Sequence, residues 1–597
     1  WVVLCIKFCL YSSKVKDKII QSKQYILLLF VVNPYFYIMR GSLGLFVCLI
    51  SHILCAQNND LQDYALPIDI PIFLSGTFGE LRSTNIHAGI DIKTQGREGF
   101  PIKAVSDGYV SRIKVSTYGY GKAIYINHLD GNTSVYAHLK KFSSNIEKIV
   151  RNKQYNSESF EIELFLNPDE LAVSKNQIIG FSGNTGGSFG PHLHFELRET
   201  ISQKPINPLL YYYNIKDSVR PEIKALFAYP IGENAIVNAS QQELQIPFRE
   251  VNDSIYVAEK IEAIGKIGLG IVTYDRHDDN TYNKNGVYGI TAKLNGIQVK
   301  GLQFSKIRFS DSEYLPTLID YKRYSRTRQR VQKLFRSSSN ELAFFNHVDD
   351  GYIEVEVQKN YAYQIKVEDA NQNNRYLLVP IVGKDQEVKV LRKKSPEGKE
   401  IETNRDYLFL YDGAEIYIPK NGVYDNSIFE LGFENNELKV EADHVALRKD
   451  FQIKINAPDS IVGHYLGVKS KKGKIRFVSN TIRDNQFIAK TKKTGVYSVE
   501  QDTIPPSINP LQQYDQRWLS NFKTLQFKID DKETGINSYN AKINGKWALF
   551  EYEPKKNELL FNFDEYFTLE GAKHSLEINV IDNVGNESTH TLEFFRK

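Results

Sequence analysis

Residues 183–196 read GNTGGSFGPHLHFE, a glycine-rich run that passes into an alternating segment with histidines at 192 and 194. Apolar Leu193 and Phe195 alternate with polar neighbours, which predicts a strand with a two-residue side-chain period. His192 and His194 then project from one face. An imidazole is costly to bury unless its ring nitrogens find partners, and two rings aimed at one spot are a way to hold a metal ion. Gly183, Gly186, Gly187 and Gly190 carry no Cβ, so the loop before the strand can approach other groups closely without clashes.

Two other phrases carry the same chemistry. NIHAGIDI (85–92) offers His87 and Asp91, and VYAHL (135–139) offers His138. Of the 12 histidines, five fall between 87 and 194, and four of those lie inside the three phrases. The fifth, His128, has no comparable neighbour and reads as surface or structural. His277, His347, His444, His464, His574 and His590 are scattered singly and read as structural. Catalytic zinc takes three protein ligands and keeps a fourth position for water. One carboxylate and four imidazoles supply such a set with two histidines to spare for acid–base work.

At 597 residues the chain is too long for one core. Tyr 36, Phe 34 and repeated alternation between Gly, Asn and Asp turns predict a mainly β protein. Strands are expected within 100–115, 122–129, 133–139 and 191–199, with a polar insert at about 143–171 that reads as a loop or helical excursion. The formal net charge of +4 points to no particular partner. The basic run YKRYSRTRQRVQKLFR (321–336) is of a kind that can hold an anionic polymer, but reads first as a solvated face, and no nucleic-acid partner is expected.

All four cysteines (Cys5, Cys9, Cys48, Cys55) precede residue 56, so any metal beyond that point is held by His, Asp or Glu. From Met39, the sole methionine, the text runs MRGSLGLFVCLISHILCAQ, with one arginine, an apolar stretch and Ala56 at a cleavage position. Residues 39–56 are expected to be a signal peptide and 1–38 upstream read-through. Asn33 and Pro34 cut the earlier apolar run Tyr25–Val32 short of the about 20 residues a membrane span needs.

Beyond about 215 the chain echoes itself. TAKLNG (291–296) resembles NAKING (540–545), IKVEDANQNN (365–374) resembles INVIDNVGNE (578–587), and each copy opens on a proline phrase, RPEI (220–223) or PPSI (505–508). A repeated unit ending in Asp-x-x-x-Asn predicts tandem β-sandwich, Ig-like modules at 216–385 and 504–597, with a β-rich module at 386–503 between them.

The phrases H-x-G-x-D (His87, Gly89, Asp91), Y-x-H-L (136–139) and GNTGGSFGPHLHFE, in that order, resemble the lysostaphin/LytM-type zinc endopeptidases of bacterial cell-wall metabolism. GFPIKAVSDGYV (99–110) and INPLLYY (206–212) resemble the strand pair and closing segment of that family. The resemblance covers residues 57–215. It implies a small antiparallel β catalytic domain (a duplicated hybrid motif) in which His87, Asp91 and His194 bind Zn2+ while His138 and His192 flank the fourth position. The division of labour between His138 and His192 stays open. All five polar positions are retained, and the insert is longer than compact members need, long enough to cover the groove.

The resulting expectation is a secreted zinc endopeptidase, acting in the periplasm or cell envelope on amide bonds in the peptide part of peptidoglycan. The mature chain has no membrane span, and its β modules are available to envelope partners. The alternative is an envelope scaffold or activator in which zinc is structural or absent.

Overall fold

The strand predicted around the two histidines runs from His192 to Glu199, and its two faces have different jobs. Leu193, Phe195 and Leu197 are fully buried on one face, while His192, His194, Glu196 and Arg198 line the other. Burying apolar side chains of this size stabilises the fold by about 1.5–3 kcal/mol each. In this computed structural model, residues 64–212, 215, 217–277, 282–336, 342, 345–347, 349–393, 396–470 and 473–597 are described. The expected signal peptide (39–56) and upstream segment (1–38) lie outside them.

The amino-terminal part contains β1 (Leu74–Gly76), β2 (Ile90–Lys93), β3 (Pro101–Lys103), β4 (Gly108–Val115), β5 (Lys122–His128), β6 (Asn132–Ala137), β7 (Leu139–Phe142), α1 (Ser144–Ser157), β8 (Ile162–Phe165), β9 (Ala172–Val173), β10 (Ile178–Ser182), β11 (His192–Glu199) and β12 (Pro205–Ile206). The large antiparallel sheet runs β1-β2-β11-β6-β5-β4-β8, with β12 on β11 and β9 on β4. A small sheet, β3-β10-β7, faces it across one core that includes Ile92, Ile102, Ile124, Leu139, Ile179 and Phe195.

The run 133–139, expected as one strand, is broken at its last turn. His138 adopts φ 58, a left-handed conformation that costs a non-glycine residue about 1–2 kcal/mol. The chain leaves the large sheet as β6 and joins the small one as β7 at that residue. The insert is helical at α1, where Ile146 and Val150 enter the core, so its polar appearance hid a packed inner stripe.

The remaining sheets are also mainly antiparallel. Residues 222–383 form a 13-stranded sheet system; 399–501 form facing six- and five-stranded sheets around one core; 507–595 form facing four- and five-stranded sheets. The first of these shares its core with the amino-terminal part, because the β1–β2 loop inserts Phe78, Leu81, Ile86 and Ala88 into it. Gly79, at φ 79, is required there, since a Cβ would overlap the Phe304 ring. Within the basic run, Tyr321–Thr327 forms a short helix whose Arg326 pairs with Asp443 at 2.6 Å. Among the described residues no helix is long and apolar enough to cross a membrane.

Candidate metal centre and active site

The register of β2 against β11 sets Asp91 directly opposite His194. Ile90 and Ile92 point into the core, so Asp91 must face the other way, toward the histidine row. His87 arrives from the loop before β2, held by a hydrogen bond from its Nδ1 to the Thr77 carbonyl at 2.8 Å. With Nδ1 committed as donor, Nε2 keeps its lone pair. That Nε2 lies 3.1 Å from His194 Nδ1 and 3.2 Å from Asp91 Oδ1, while Asp91 Oδ1 and His194 Nδ1 are 2.8 Å apart. Three ligand atoms from buried side chains thus converge on one point. The other Asp91 oxygen is taken by Arg82.

His138 and His192 border the same space. Their ring centroids are 4.8 Å apart, and that of His138 is 5.8 Å from that of His194. His138 Nδ1 donates to the Thr185 carbonyl at 2.8 Å, and His192 Nδ1 to the Gly190 carbonyl at 2.8 Å, with Ser188 Oγ at 3.1 Å. Each ring therefore offers Nε2 inward, and that of His192 lies 3.5 Å from Asp91 Oδ1. The glycine loop makes this anchoring possible. Gly186, at φ 71, packs against the backbone of Gly121, and Gly187 N–H donates to Gly119 O at 2.7 Å. His138 N–H in turn donates to Tyr120 O at 2.9 Å.

Electrostatics divide the five residues. Burial would raise the Asp91 carboxyl, but His87, His192 and His194 hold it well below the usual range. Burial pushes the His87 imidazole down, against the pull of the Asp91 carboxylate. Burial, with His194 and His192 adding repulsion, pushes His138 down to about 3, so its imidazole is a proton acceptor near neutral pH. Burial also opposes charge on His194, yet its bonds to Asp91 and Glu196 push it up to about 9.

Several participants are absent from the sequence reading. Glu196 accepts from His194 Nε2 at 2.7 Å and from Arg198 Nε at 2.7 Å, and Tyr120 donates to it from above the His194 ring. Arg198 and His194 hold the Glu196 carboxyl at about 2 although burial raises it. A carboxylate behind a ligating histidine fixes its tautomer and orientation. Glu196 and Arg198 continue the two-residue period of the histidines and were findable on that signal. Tyr120, Arg82, Thr77 and Thr185 reach the site from elsewhere in the chain and carry no such mark. Glu196→Gln is expected to weaken zinc affinity by about 10–100-fold, measured by competition with a chelating dye.

His87, Asp91 and His194, gathered here on a small two-sheet β scaffold, form a group that could hold a metal ion. Residues 85–157 match the model for Peptidase family M23. The match takes in His87, Asp91 and His138 and ends before His192. The chain is 34% identical over 129 residues to the DD-carboxypeptidase/endopeptidase Mpg of Neisseria meningitidis serogroup B, covering 22% of this chain and 23% of that protein. It is 32% identical over 112 residues to lysostaphin of Staphylococcus staphylolyticus, covering 19% of this chain and 18% of the relative. The chain thus spans less than a quarter of the length of these curated relatives. Among solved structures, the catalytic domain of lysostaphin from Staphylococcus simulans is 26% identical, with 23% of this chain and 90% of that one covered and a TM-score of 0.18. A mutant catalytic domain of the prophage-encoded M23 protein EnpA from Enterococcus faecalis is 24% identical, with 25% and 96% covered and a TM-score of 0.19.

Proposed function

We propose that this chain is a zinc-dependent endopeptidase that hydrolyses amide bonds in the peptide part of bacterial peptidoglycan, outside the cytoplasm in the periplasm or cell envelope. The observation that carries the reading is the convergence of His87 Nε2, Asp91 Oδ1 and His194 Nδ1 within 3.2 Å of one another, beside two further imidazoles with their Nδ1 atoms anchored. Two nitrogens and one carboxylate oxygen suit zinc, and three ligands rather than four leave a position for chemistry. The same donors without His138 and His192 would suit a structural ion equally well; the two spare rings favour the enzyme.

Bound there, zinc would polarise a scissile carbonyl and acidify water toward neutral pH. The protein supplies the rest. His138 and His192, both presenting Nε2, take the proton from attacking water and return one to the leaving amine. Glu196 and Thr77 fix the ring orientations of His194 and His87. The glycine loop Gly183–Gly190 rims the site and suits a flexible peptide of small residues. Beside that loop lies a cleft of about 840 Å³ in which Asn184, Thr185 and Gly186 face Glu551, Lys555 and neighbouring residues of the carboxy-terminal sheets. It is wide enough for a peptide substrate. In this reading residues 57–215 are the peptidase and 216–385, 386–503 and 504–597 are β modules, the last serving as a wall of the substrate cleft.

The test is digestion of purified sacculi by the full chain, with fragments identified by mass. Soluble peptide fragments are expected, lost with chelator and restored by zinc. A folded, metal-loaded protein that releases none would overturn the reading in favour of a scaffold.

A further inference from the structure

Three aspartates occupy equivalent places in two parts of the chain. Asp217 precedes the strand Glu222–Pro230, Asp275 follows the strand Ile261–Tyr274 paired with it, and Asp369 follows the strand Asn360–Glu368. Asp502, Asp531 and Asp582 stand in the same way around Ser507–Pro510, Thr524–Asp530 and Lys573–Asp582. The local bonds repeat too. Asp217 Oδ1 accepts from Val219 N–H at 3.0 Å, and Asp502 Oδ1 from Ile504 N–H at 3.0 Å. Asn373 and Asn586 each donate from N–H to the aspartate four residues earlier, at 2.9 Å. Their side-chain amides then donate to the Asp217 carbonyl at 2.9 Å and the Asp502 carbonyl at 3.1 Å. The repeated Asp-x-x-x-Asn phrase thus staples a strand end to the segment that opens each module.

In the second copy the turn that follows satisfies the middle carboxylate. Asp531 Oδ1 accepts from Thr534 N–H at 2.8 Å and Gly535 N–H at 2.7 Å, and the Thr534 hydroxyl donates to Asp502 Oδ2 at 2.9 Å. In the first copy His277 lies two residues after Asp275. Asp275 is only 2% exposed, and its Oδ1 meets no hydrogen-bond donor among the described residues. Leaving a buried carboxylate oxygen unmatched is costly. His277 Nδ1 lies 3.5 Å from Asp217 Oδ2, and Nε2 lies 3.9 Å from Asp275 Oδ2. One ligand atom from each of the three residues lies within 4.8 Å of the others, and all three line a cavity of about 10 Å³, the room one water-sized occupant needs.

We propose that Asp217, Asp275 and His277 form a second metal site, structural in role, for a divalent cation that accepts both carboxylate oxygen and imidazole nitrogen, of the zinc or manganese class. The cavity is completed by Thr77, Phe78 and Asn207 of the peptidase part. Thr77 is the residue that holds His87 by its carbonyl and donates from its hydroxyl to Gly286 O at 2.9 Å. The ion therefore fastens the first β module to the peptidase part directly behind one of the candidate catalytic ligands.

Metal content of the full chain, dialysed against zinc in one arm and manganese in the other and measured by mass spectrometry, tests this. Two equivalents are expected for the wild type, one for Asp275→Asn, one for His194→Ala and none for the double variant. Loss of one equivalent from His194→Ala alone concerns only the catalytic site, so failure of either site is read separately. Metal should raise the Tm of His194→Ala and leave that of the double variant unmoved. The site is refuted if Asp275→Asn keeps the wild-type metal count, or if His194→Ala shows no Tm response. The second outcome would mean that an imidazolium shared by Asp217 and Asp275 fills the place of the ion. Should Asp275→Asn fail to fold by circular dichroism, His277→Gln carries the same count.

Discussion

Replacing His138 by alanine is expected to leave the bound zinc unchanged and to lower turnover of sacculi by about 10²–10⁴-fold, the range for loss of a positioned acid–base group. The ring stands outside the converging trio: its Nδ1 donates to Thr185 O, and the His192 ring is nearer to it than that of His194. Removing it should therefore cost proton transfer and not metal affinity. The backbone provides a control. His138 sits at φ 58, which alanine tolerates no better but glycine adopts freely, so His138→Gly should be as inactive as His138→Ala and more stable by about 1 kcal/mol. Metal content, kcat and Tm of the two variants check all three points. Loss of zinc from both would move His138 into the ligand set and reverse the assignment.

Glu551→Ala is expected to open the cleft between the peptidase part and the carboxy-terminal sheets. Its carboxylate receives Lys122 Nζ at 2.8 Å and Arg151 Nη2 at 3.1 Å, and all three side chains are at most 16% exposed. Burial disfavours the charge on Glu551, yet the two cations hold its carboxyl below the ordinary value. Removing one partner of such a buried pair costs about 3–5 kcal/mol, because the other charges stay buried without it. The lower end applies here, since Arg151 keeps Glu147 at 2.8 Å. The loss should appear first as opening rather than global unfolding, with the other contacts across the cleft, Lys555 to the Ser188 carbonyl at 3.2 Å and Tyr155 on Trp547 at 5.5 Å between ring centroids, released together. Faster hydrogen exchange over Ser144–Ser157 and Phe550–Glu553 would show it. A double-mutant cycle between Lys122 and Glu551 with negligible coupling would mean that the pair is solvated and the wall loosely held.

Both results bear on what a reader of the chain can see. His87, Asp91, His138, His192 and His194 were picked from three short phrases, and the structure brings them side by side. They meet because two of the phrases lie on strands, where a period of two decides the face, and because the fold pairs those strands directly: His194 sits opposite Asp91 on one side and Ala137 on the other. The mainly β character followed from the same alternation. His277 reads in the sequence as a scattered structural histidine. It stands between Asp217 and Asp275, which are distant from each other in sequence and carry no shared motif.

By itself, the amino-acid sequence determined the local and periodic features: strand faces, turn glycines, the Asp-x-x-x-Asn echo and the chemistry of the histidine row. These depend on neighbours within a few residues, where backbone geometry allows few choices. The tertiary structure alone decided the kink at His138, the Glu196–Arg198–Tyr120 support, the aspartate cluster behind Thr77 and the docking of Glu551 onto Lys122. Each of these joins groups brought together by sheet packing, and the driving force is the need to pair buried charges and fill a shared core, which acts across space and leaves no regular spacing along the chain.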